Sequence, residues 1–317
     1  MTKKVLVTGA GGFIGHHLVE YLKDKGFWVR GVDIREPKFA ESEADDFRLL
    51  DLRRRGNCLE AIQGVDEVYN LAADMGGIGY ITSDHAGVAS NSSMINLHML
   101  EAARIHDIDR FFFSSSACVY PSHKQNEADV DALSEDDAIP ADPEKGYGWE
   151  KLYMEQLCQY FREDFGLETR VCRFHNVYGP RSTYKGGKEK APAALCRKVA
   201  KADDGGEIVV WGDGEQTRSF MYIQDCVEGI FRVMQSDHPE PLNLGTDELV
   251  TINDLVDNIA DAAGKNIEKN HDLSKPQGVR GRNSDNSKLR EVLNWEPETP
   301  LREGIQDTYD WIESQIH

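Results

Sequence analysis

Lys4–Thr8 is a short, nearly continuous apolar run that ends in a cluster of glycines, and from residue 13 to 25 apolar positions recur at helical spacing, at Phe13, Ile14, Leu18, Tyr21 and Leu22. The order is strand, glycine turn, helix. Further apolar runs at Trp28–Asp33, Asp66–Ala72 and Arg110–Ser114 predict strands, with helical stretches near 55–63 and 92–106 between them. Such alternation predicts an α/β fold built on a doubly wound parallel sheet with helices on both faces. Helical spacing returns at 148–164, a strand is predicted at Glu168–Arg173, and beyond about residue 178 the regular alternation lapses. The stretch PRSTYKGGKEK at 180–190 is too polar and glycine-rich for a core element, while Leu195–Ala200, Ile208–Trp211 and Cys226–Met234 read as helix, strand and helix. The expected organisation is a main body at 1–178 and a smaller α/β part at 179–317, with the chain crossing back between them.

Composition narrows the function classes. Lys plus Arg number 36 against 55 Asp plus Glu, a formal net charge of −19, so nucleic acid and anionic membrane surfaces are disfavoured as partners. No stretch approaches the ~20 apolar residues that span a bilayer, and Met1–Lys4 lead into the first strand without an apolar leader region. A soluble, cytoplasmic protein is expected. The six cysteines are scattered without a C-x-x-C pair, which suits reduced, mostly buried thiols. His16 and His17 are adjacent, hence on different helix faces, and no ligand spacing occurs elsewhere, so no metal is expected. The acidic run Asp129–Asp142 reads as a solvated surface loop.

Candidate chemistry begins at the glycine turn. Gly9, Gly12 and Gly15 stand between the first strand and the first helix. There Gly9 permits a sharp turn, Gly12 lets the backbone approach a pyrophosphate, Gly15 lets helix and strand pack closely, and the helix N-terminus offers free N–H groups. Asp33 ends the second strand 18 residues beyond Gly15, near the ~20 expected of a carboxylate that binds adenosine ribose hydroxyls. That carboxylate would repel a 2′-phosphate, so NAD is favoured over NADP despite the nearby Arg35. Tyr147 and Lys151 lie four residues apart in a helical stretch and share one face. On such a fold the lysine can hold the nicotinamide ribose and lower the phenol pKa, so that the tyrosine takes a hydroxyl proton. Ser116, at the carboxyl edge of its strand, can hydrogen-bond the same oxygen, and the three form an alcohol-oxidising set. Cys118 lies two residues on. If the chain stays extended, its thiol faces the same side as Ser116, and spacing alone leaves open a small buried hydrophobe or a reactive thiol. By itself Lys190 reads as a solvated loop lysine, and Arg218 and Arg282 as surface ion-pair partners or as planar forks for a diphosphate.

The segments ADMGG at 73–77, SSSACVYP at 114–121, RFHNVYGP at 173–180, KGGKEKAP at 185–192 and VRGRNSDN at 279–286 resemble the extended short-chain dehydrogenase/reductase enzymes that act on nucleotide sugars, over essentially the whole chain. The resemblance implies an NAD-binding Rossmann domain followed by a nucleotide-sugar-binding part, and a homodimer. It implies inversion of C3 and C5 of GDP-mannose through a transient 4-keto sugar, with Cys118 as base and Lys190 as acid beside Ser116, Tyr147 and Lys151. Gly9, Gly12, Phe13, Ile14, Gly15, Asp33 and Asp51, with Tyr147 and Lys151, then belong to NAD. Gly76, Gly77, Ser116, Ala117, Cys118, Asn176, Glu189, Lys190, Ala191, Lys198, Gln216, Thr217, Arg218 and Arg282 belong to the substrate. The alternatives are a C4 epimerase of the same fold, which would need neither Cys118 nor Lys190, and a non-catalytic NAD-sensing regulator, which would not need the Tyr/Lys pair. A 4,6-dehydratase would carry an acidic pair where this chain has Ala117 and Cys118.

Overall fold

In the computed structural model, which describes residues 2–316, the first apolar run forms β1 (Lys4–Thr8). Its side chains alternate into two separate apolar layers, Leu6 into one and Val5 and Val7 into the other, as a strand covered on both faces requires. The glycine turn leads into α1 (Phe13–Asp24), then come β2 (Trp28–Asp33), β3 (Asp46–Leu49), α2 (Arg55–Ala61), β4 (Glu67–Asn70), α3 (Ile78–Ile81), α4 (His85–Ile105), β5 (Arg110–Ser116), α5 (Tyr147–Phe165) and β6 (Thr169–Phe174). The rest of the chain runs through β7 (Asn176–Tyr178), α6 (Ala191–Lys201), β8 (Gly206–Trp211), β9 (Thr217–Arg218), β10 (Phe220–Tyr222), α7 (Ile223–Gln235), β11 (Leu242–Leu244), β12 (Val250–Thr251), α8 (Ile252–Ala263), β13 (Ile267–Asp272), β14 (Gly281–Arg282), α9 (Ser287–Leu293) and α10 (Leu301–Ser314).

Seven strands make one parallel sheet in the order β11-β6-β5-β4-β1-β2-β3. The strand order reverses at β1, which has β2 on one side and β4 on the other, and such a reversal opens a crevice beyond the carboxyl ends of the strands. One face buries Leu18 and Leu22 of α1 with Val227 and Ile230 of α7; the other buries Ala61 of α2, Met99 and Leu100 of α4, and Met154 and Cys158 of α5. Later in the chain β9 pairs with β12 and β14, β8 pairs with β13, and α6, α8 and α10 pack together on the apolar layer that also buries α1 and α7.

Three expectations need correction. The helix expected near 92–106 starts at His85, because Asp84 caps it by accepting the Gly87 N–H at 2.8 Å; its early turns carry Ser and Asn residues whose polarity hides the helical period, although Ser92 and Asn96 are buried. Beyond residue 178 the chain is more regular than its pattern shows: α8 and α10 are full helices, and α8 opens with a Thr251–Asp254 capping box. The acidic run is not simply a solvated loop. Leu133 and Glu135 are buried, the Glu135 carboxylate accepts the Asn243 N–H at 2.7 Å and its carbonyl accepts from Arg173 at 2.6 Å, so this segment seals the edge where β6 meets β11.

Candidate active site

The turn after β1 is shaped by contacts that only glycine allows. Gly9 sits at φ +72° and its carbonyl accepts the Gly12 N–H at 2.9 Å. A Cβ at Gly15 would lie 2.2 Å from that same carbonyl, so α1 is drawn against the turn. No side chain caps α1, which leaves the amides of its first turn, at Phe13 and Ile14, available to a bound anion. Gly11, which the spacing argument passed over, is as constrained: a Cβ there would lie 2.2 Å from the Arg35 carbonyl. Its N–H donates to Asp33 Oδ2 at 3.0 Å, and the Arg35 N–H donates to Oδ1 at 3.2 Å. These bonds aim the half-buried carboxylate across the end of the turn, while burial raises its pKa above the ordinary value against their pull. Asp51, just past β3, is held by both ends of the Arg53 guanidinium at 2.9 and 2.8 Å, a pairing that lowers its pKa.

Ser116, Cys118, Tyr147 and Lys151 come together at the carboxyl end of β5. The chain does not stay extended there; Ala117–Val119 is a tight 3-10 turn capped by Ser116 Oγ, which accepts the Cys118 N–H at 3.2 Å. The thiol reaches the site through that turn, packed with Val88 and the Tyr147 ring. Close approach is again set by a glycine, since a Cβ at Gly148 would lie 2.2 Å from the Cys118 carbonyl. Burial raises the thiol pKa, as does the Glu144 carboxylate, while the Arg282 guanidinium, 3.7 Å from Sγ, lowers it. Lys151 is fully buried, donates to the Ser114 carbonyl at 2.8 Å, and lies 5.5 Å from the Tyr147 ring centre. The expected lowering of the Tyr147 pKa is not what this geometry gives. Burial pushes the phenol well above its ordinary value, and the nearby Cys118 and Glu150 push the same way.

Lys190 is the N-cap residue of α6, and burial lowers the pKa of its half-buried amine against the opposing influence of Cys118. Ala191 is the exposed first residue of that helix. The two arginines stand side by side, because β9 and β14 are parallel with Arg218 in register with Arg282. Arg218 donates to the Thr217 carbonyl at 2.6 Å and to the Val279 carbonyl at 2.6 Å, and its pKa is pushed down to about 9 by burial and by Arg282. Neither guanidinium has an acidic partner among the described residues, so the pair is a cationic spot with an uncompensated charge. Arg282 is held by Gln125 Oε1 and the thiol, so it bridges the cationic spot and Cys118.

The other predicted residues make contacts of their own. Gly76 packs against the Tyr80 ring; Gly77 donates its N–H to the Lys188 carbonyl at 3.1 Å. Glu189 accepts the Gly187 N–H at 2.6 Å and pairs with Arg197 at 3.5 Å. Asn176 donates to the Ser219 carbonyl at 3.0 Å, Lys198 to the Val209 carbonyl at 2.6 Å, Gln216 to the Trp211 carbonyl at 3.0 Å and Thr217 to the Ala128 carbonyl at 2.5 Å. Beneath the site lies a buried network that the linear pattern does not reveal: Arg173 donates to Glu155, which also accepts from Ser115, and Tyr120 donates to Asn243 at 2.5 Å. It ties β5, α5, β6 and β11 together directly under Ser116.

The NAD dependent epimerase/dehydratase family matches residues 5–245. The chain is 49% identical to GDP-mannose 3,5-epimerase of Arabidopsis thaliana over 99% of this chain and 83% of that protein, and 48% identical to GDP-mannose 3,5-epimerase 1 of Oryza sativa subsp. japonica over 99% and 82%. Among solved structures it is similar to UDP-glucose 4-epimerase of Thermotoga maritima with UDP-glucose, at 26% identity and TM-score 0.87, covering 99% of this chain and 100% of that one. It is also similar to UDP-glucuronic acid 4-epimerase of Bacillus cereus in complex with UDP-glucuronic acid and NAD, at 29% identity and TM-score 0.83, covering 99% and 100%.

Proposed function

The chain belongs to the NAD dependent epimerase/dehydratase family, and from that premise we propose that it is an isomerase inverting C3 and C5 of GDP-mannose, giving GDP-L-galactose, and GDP-L-gulose where C5 alone inverts. The observation that supports this reading most directly is the Cys118 thiol packed against Tyr147 beside Ser116, with Arg282 Nη1 3.7 Å from Sγ and the Lys190 amine within electrostatic reach of the thiol, so that a second acid/base pair, Cys118 and Lys190, is available beyond the Ser116–Tyr147–Lys151 set. An enzyme that inverts only C4 has no use for that pair. Proton NMR of GDP-mannose incubated with the purified protein separates the readings, because inversion at C3 and C5 gives products distinct from inversion at C4; a C4-inverted product alone would overturn the proposal.

The glycine turn, the uncapped α1 and Asp33 fit NAD, which when bound supplies a reversible two-electron acceptor for C4. Tyr147 takes the proton of the C4 hydroxyl while Ser116 hydrogen-bonds the same oxygen, and Lys151 would hold the ribose of the bound cofactor. Once C4 is a ketone, the hydrogens on C3 and C5 are acidic. Cys118 removes one and Lys190 delivers a proton from the opposite face; Arg218 and Arg282 hold the substrate diphosphate. Burial raises the proton affinity of the thiol and lowers that of the amine, so the thiolate, once formed, is a stronger base and the ammonium a stronger acid than in water.

These opposed shifts set a pH profile. The base is the thiolate, and burial pushes its formation upward, so kcat/KM is expected to rise from neutral pH into the alkaline range, then fall below the ordinary lysine range as Lys190 loses its proton early. Arg282→Ala removes the cation that favours the thiolate, so the rising limb should move to higher pH and substrate binding should weaken. A limb that stays put would detach Arg282 from the thiol. Asp33→Ala should weaken NAD binding more than NADP binding, since only the 2′-phosphate gains relief from charge repulsion; equal losses in a titration of both would remove Asp33 from the ribose site.

The same reading makes the protein a cytoplasmic homodimer. No helix of the described residues is long and apolar enough to cross a membrane, and all six cysteines are free thiols, which a reducing compartment preserves. Met94 and Leu97 of α4 and Trp149, Tyr153 and Tyr160 of α5 leave apolar surface exposed on two neighbouring helices, a face that suits a second copy of the chain. Sedimentation of the purified protein tests this, with a monomer at micromolar concentration as the contrary result.

A further inference from the structure

The loop that brings Lys190 to the site is held from one side by α6, where the Lys190 carbonyl accepts the Ala194 N–H at 3.0 Å. Its other side begins in two exposed glycines, Gly186 and Gly187, at φ +103° and +88°, and so flexible a lead-in exerts little leverage on the residues after it. The anchor is Lys188. The Lys188 ammonium lies 3.6 Å from the centre of the Tyr80 ring and 3.8 Å from Asp74 Oδ1. The Tyr80 hydroxyl donates to that same Oδ1 at 2.7 Å, and Asn91 Nδ2 donates to Oδ2 at 2.9 Å, so the carboxylate is oriented before the lysine meets it. The backbone continues the contact: the Gly77 N–H donates to the Lys188 carbonyl at 3.1 Å, and a Cβ on Gly77 would come within 2.4 Å of the Glu189 carbonyl.

We propose that Asp74 and Tyr80 form a clamp for Lys188, and that Lys188 is thereby a positioning residue that sets the place of the Lys190 amine two residues later. The proposal rests on the epimerase reading above and names the device that aims its proton donor. An exposed ion pair and an exposed cation–π contact are each weak, so the clamp adds little to folding. Its effect is geometric: the amine must meet the carbon on the face opposite Cys118, and a misplacement of ~1 Å in such a site costs on the order of 10²-fold in rate. The clamp also sits on the loop after β4, so the proton donor is referenced to the sheet edge that carries the rest of the site, not to the second part of the chain alone.

The test compares Lys188→Met with Lys188→Arg, using GDP-mannose in D₂O. NMR reads inversion and deuterium at C3 and C5, and single-turnover absorbance reads oxidation at C4. Lys188→Met is expected to lower kcat for inversion roughly 10- to 100-fold with KM and C4 oxidation nearly unchanged. Lys188→Arg, which keeps a cation over the ring, should recover inversion to within about threefold. Inversion at the wild-type rate in Lys188→Met would overturn the clamp, as would a parallel loss of C4 oxidation, which marks a general structural defect. Failure of the epimerase reading looks different, because the wild-type protein itself would then show no inversion at C3 or C5.

Discussion

Cys118→Ser is expected to reduce inversion by about 10² to 10⁴-fold, the usual contribution of a general base, while the protein stays folded and still oxidises C4. The substitution preserves size in a buried position between Val88 and the Tyr147 ring, but a serine hydroxyl gives up its proton far less readily than a thiol. The cation of Arg282, now 3.7 Å from Sγ, would face a neutral hydroxyl. Neither the Ser116 hydroxyl nor the Tyr147 phenol is altered, so the chemistry at C4 remains possible. Isotope exchange separates this variant from Lys190→Ala. Without the thiol no proton leaves C3 or C5, and substrate recovered from D₂O should carry no label at either carbon. Without the amine the thiol still removes a proton and returns one to the same face, so recovered, uninverted substrate should gain deuterium. Near-normal inversion in Cys118→Ser would return that residue to the role of a small buried hydrophobe.

Five strands of the sheet were legible because they are covered on both faces and read as short, largely apolar runs, and because Gly9, Gly12, Gly15 and Asp33 stand at the spacing of a strand–turn–helix unit; the short edge strands β3 and β11 were not. Where polar residues do structural work the pattern fails: Ser92 and Asn96 are buried inside α4, and Glu135 is buried in what reads as a solvated acidic loop. The partners of the site were also out of reach. Nothing in the spacing joins Arg282 to Cys118, 164 positions earlier, or Glu144 to the thiol whose ionisation it opposes. Cys118 is the instructive case. An extended strand was the condition for its thiol to face Ser116, yet the chain turns immediately after Ser116, and it is the turn, with the backbone of Gly148 pressed against the Cys118 carbonyl, that brings the thiol to the site. A linear reading can name the residue types a reaction needs; which cations and carboxylates tune them depends on contacts between elements far apart in the chain.

Tyr147→Phe is expected to remove inversion and isotope exchange together, because both depend on prior oxidation at C4. The ring keeps its packing against Cys118 and Val88, so the loss is confined to one hydroxyl. Ser116 cannot take over as base, since a serine hydroxyl is a poor base. The buried phenol holds its proton tightly, with the Ser116 hydroxyl hydrogen bond as the contact that opposes this, so the wild-type step should itself be favoured by alkaline pH. Loss of about 10² to 10⁴-fold is expected at C4, and everything downstream depends on it. The hydrogens at C3 and C5 are acidic only beside a ketone, so Cys118 and Lys190, though intact, would have nothing to act on and D₂O would leave no label. In the wild-type product, by contrast, C3 and C5 should carry deuterium while C4 stays protiated, because the hydrogen at C4 never meets water. A C4 epimerase would show no solvent label at C3 or C5. If Tyr147→Phe still exchanged those hydrogens at the wild-type rate, proton removal would not require prior oxidation at C4, and the roles of Tyr147, Ser116 and Lys151 as an alcohol-oxidising set would have to be abandoned.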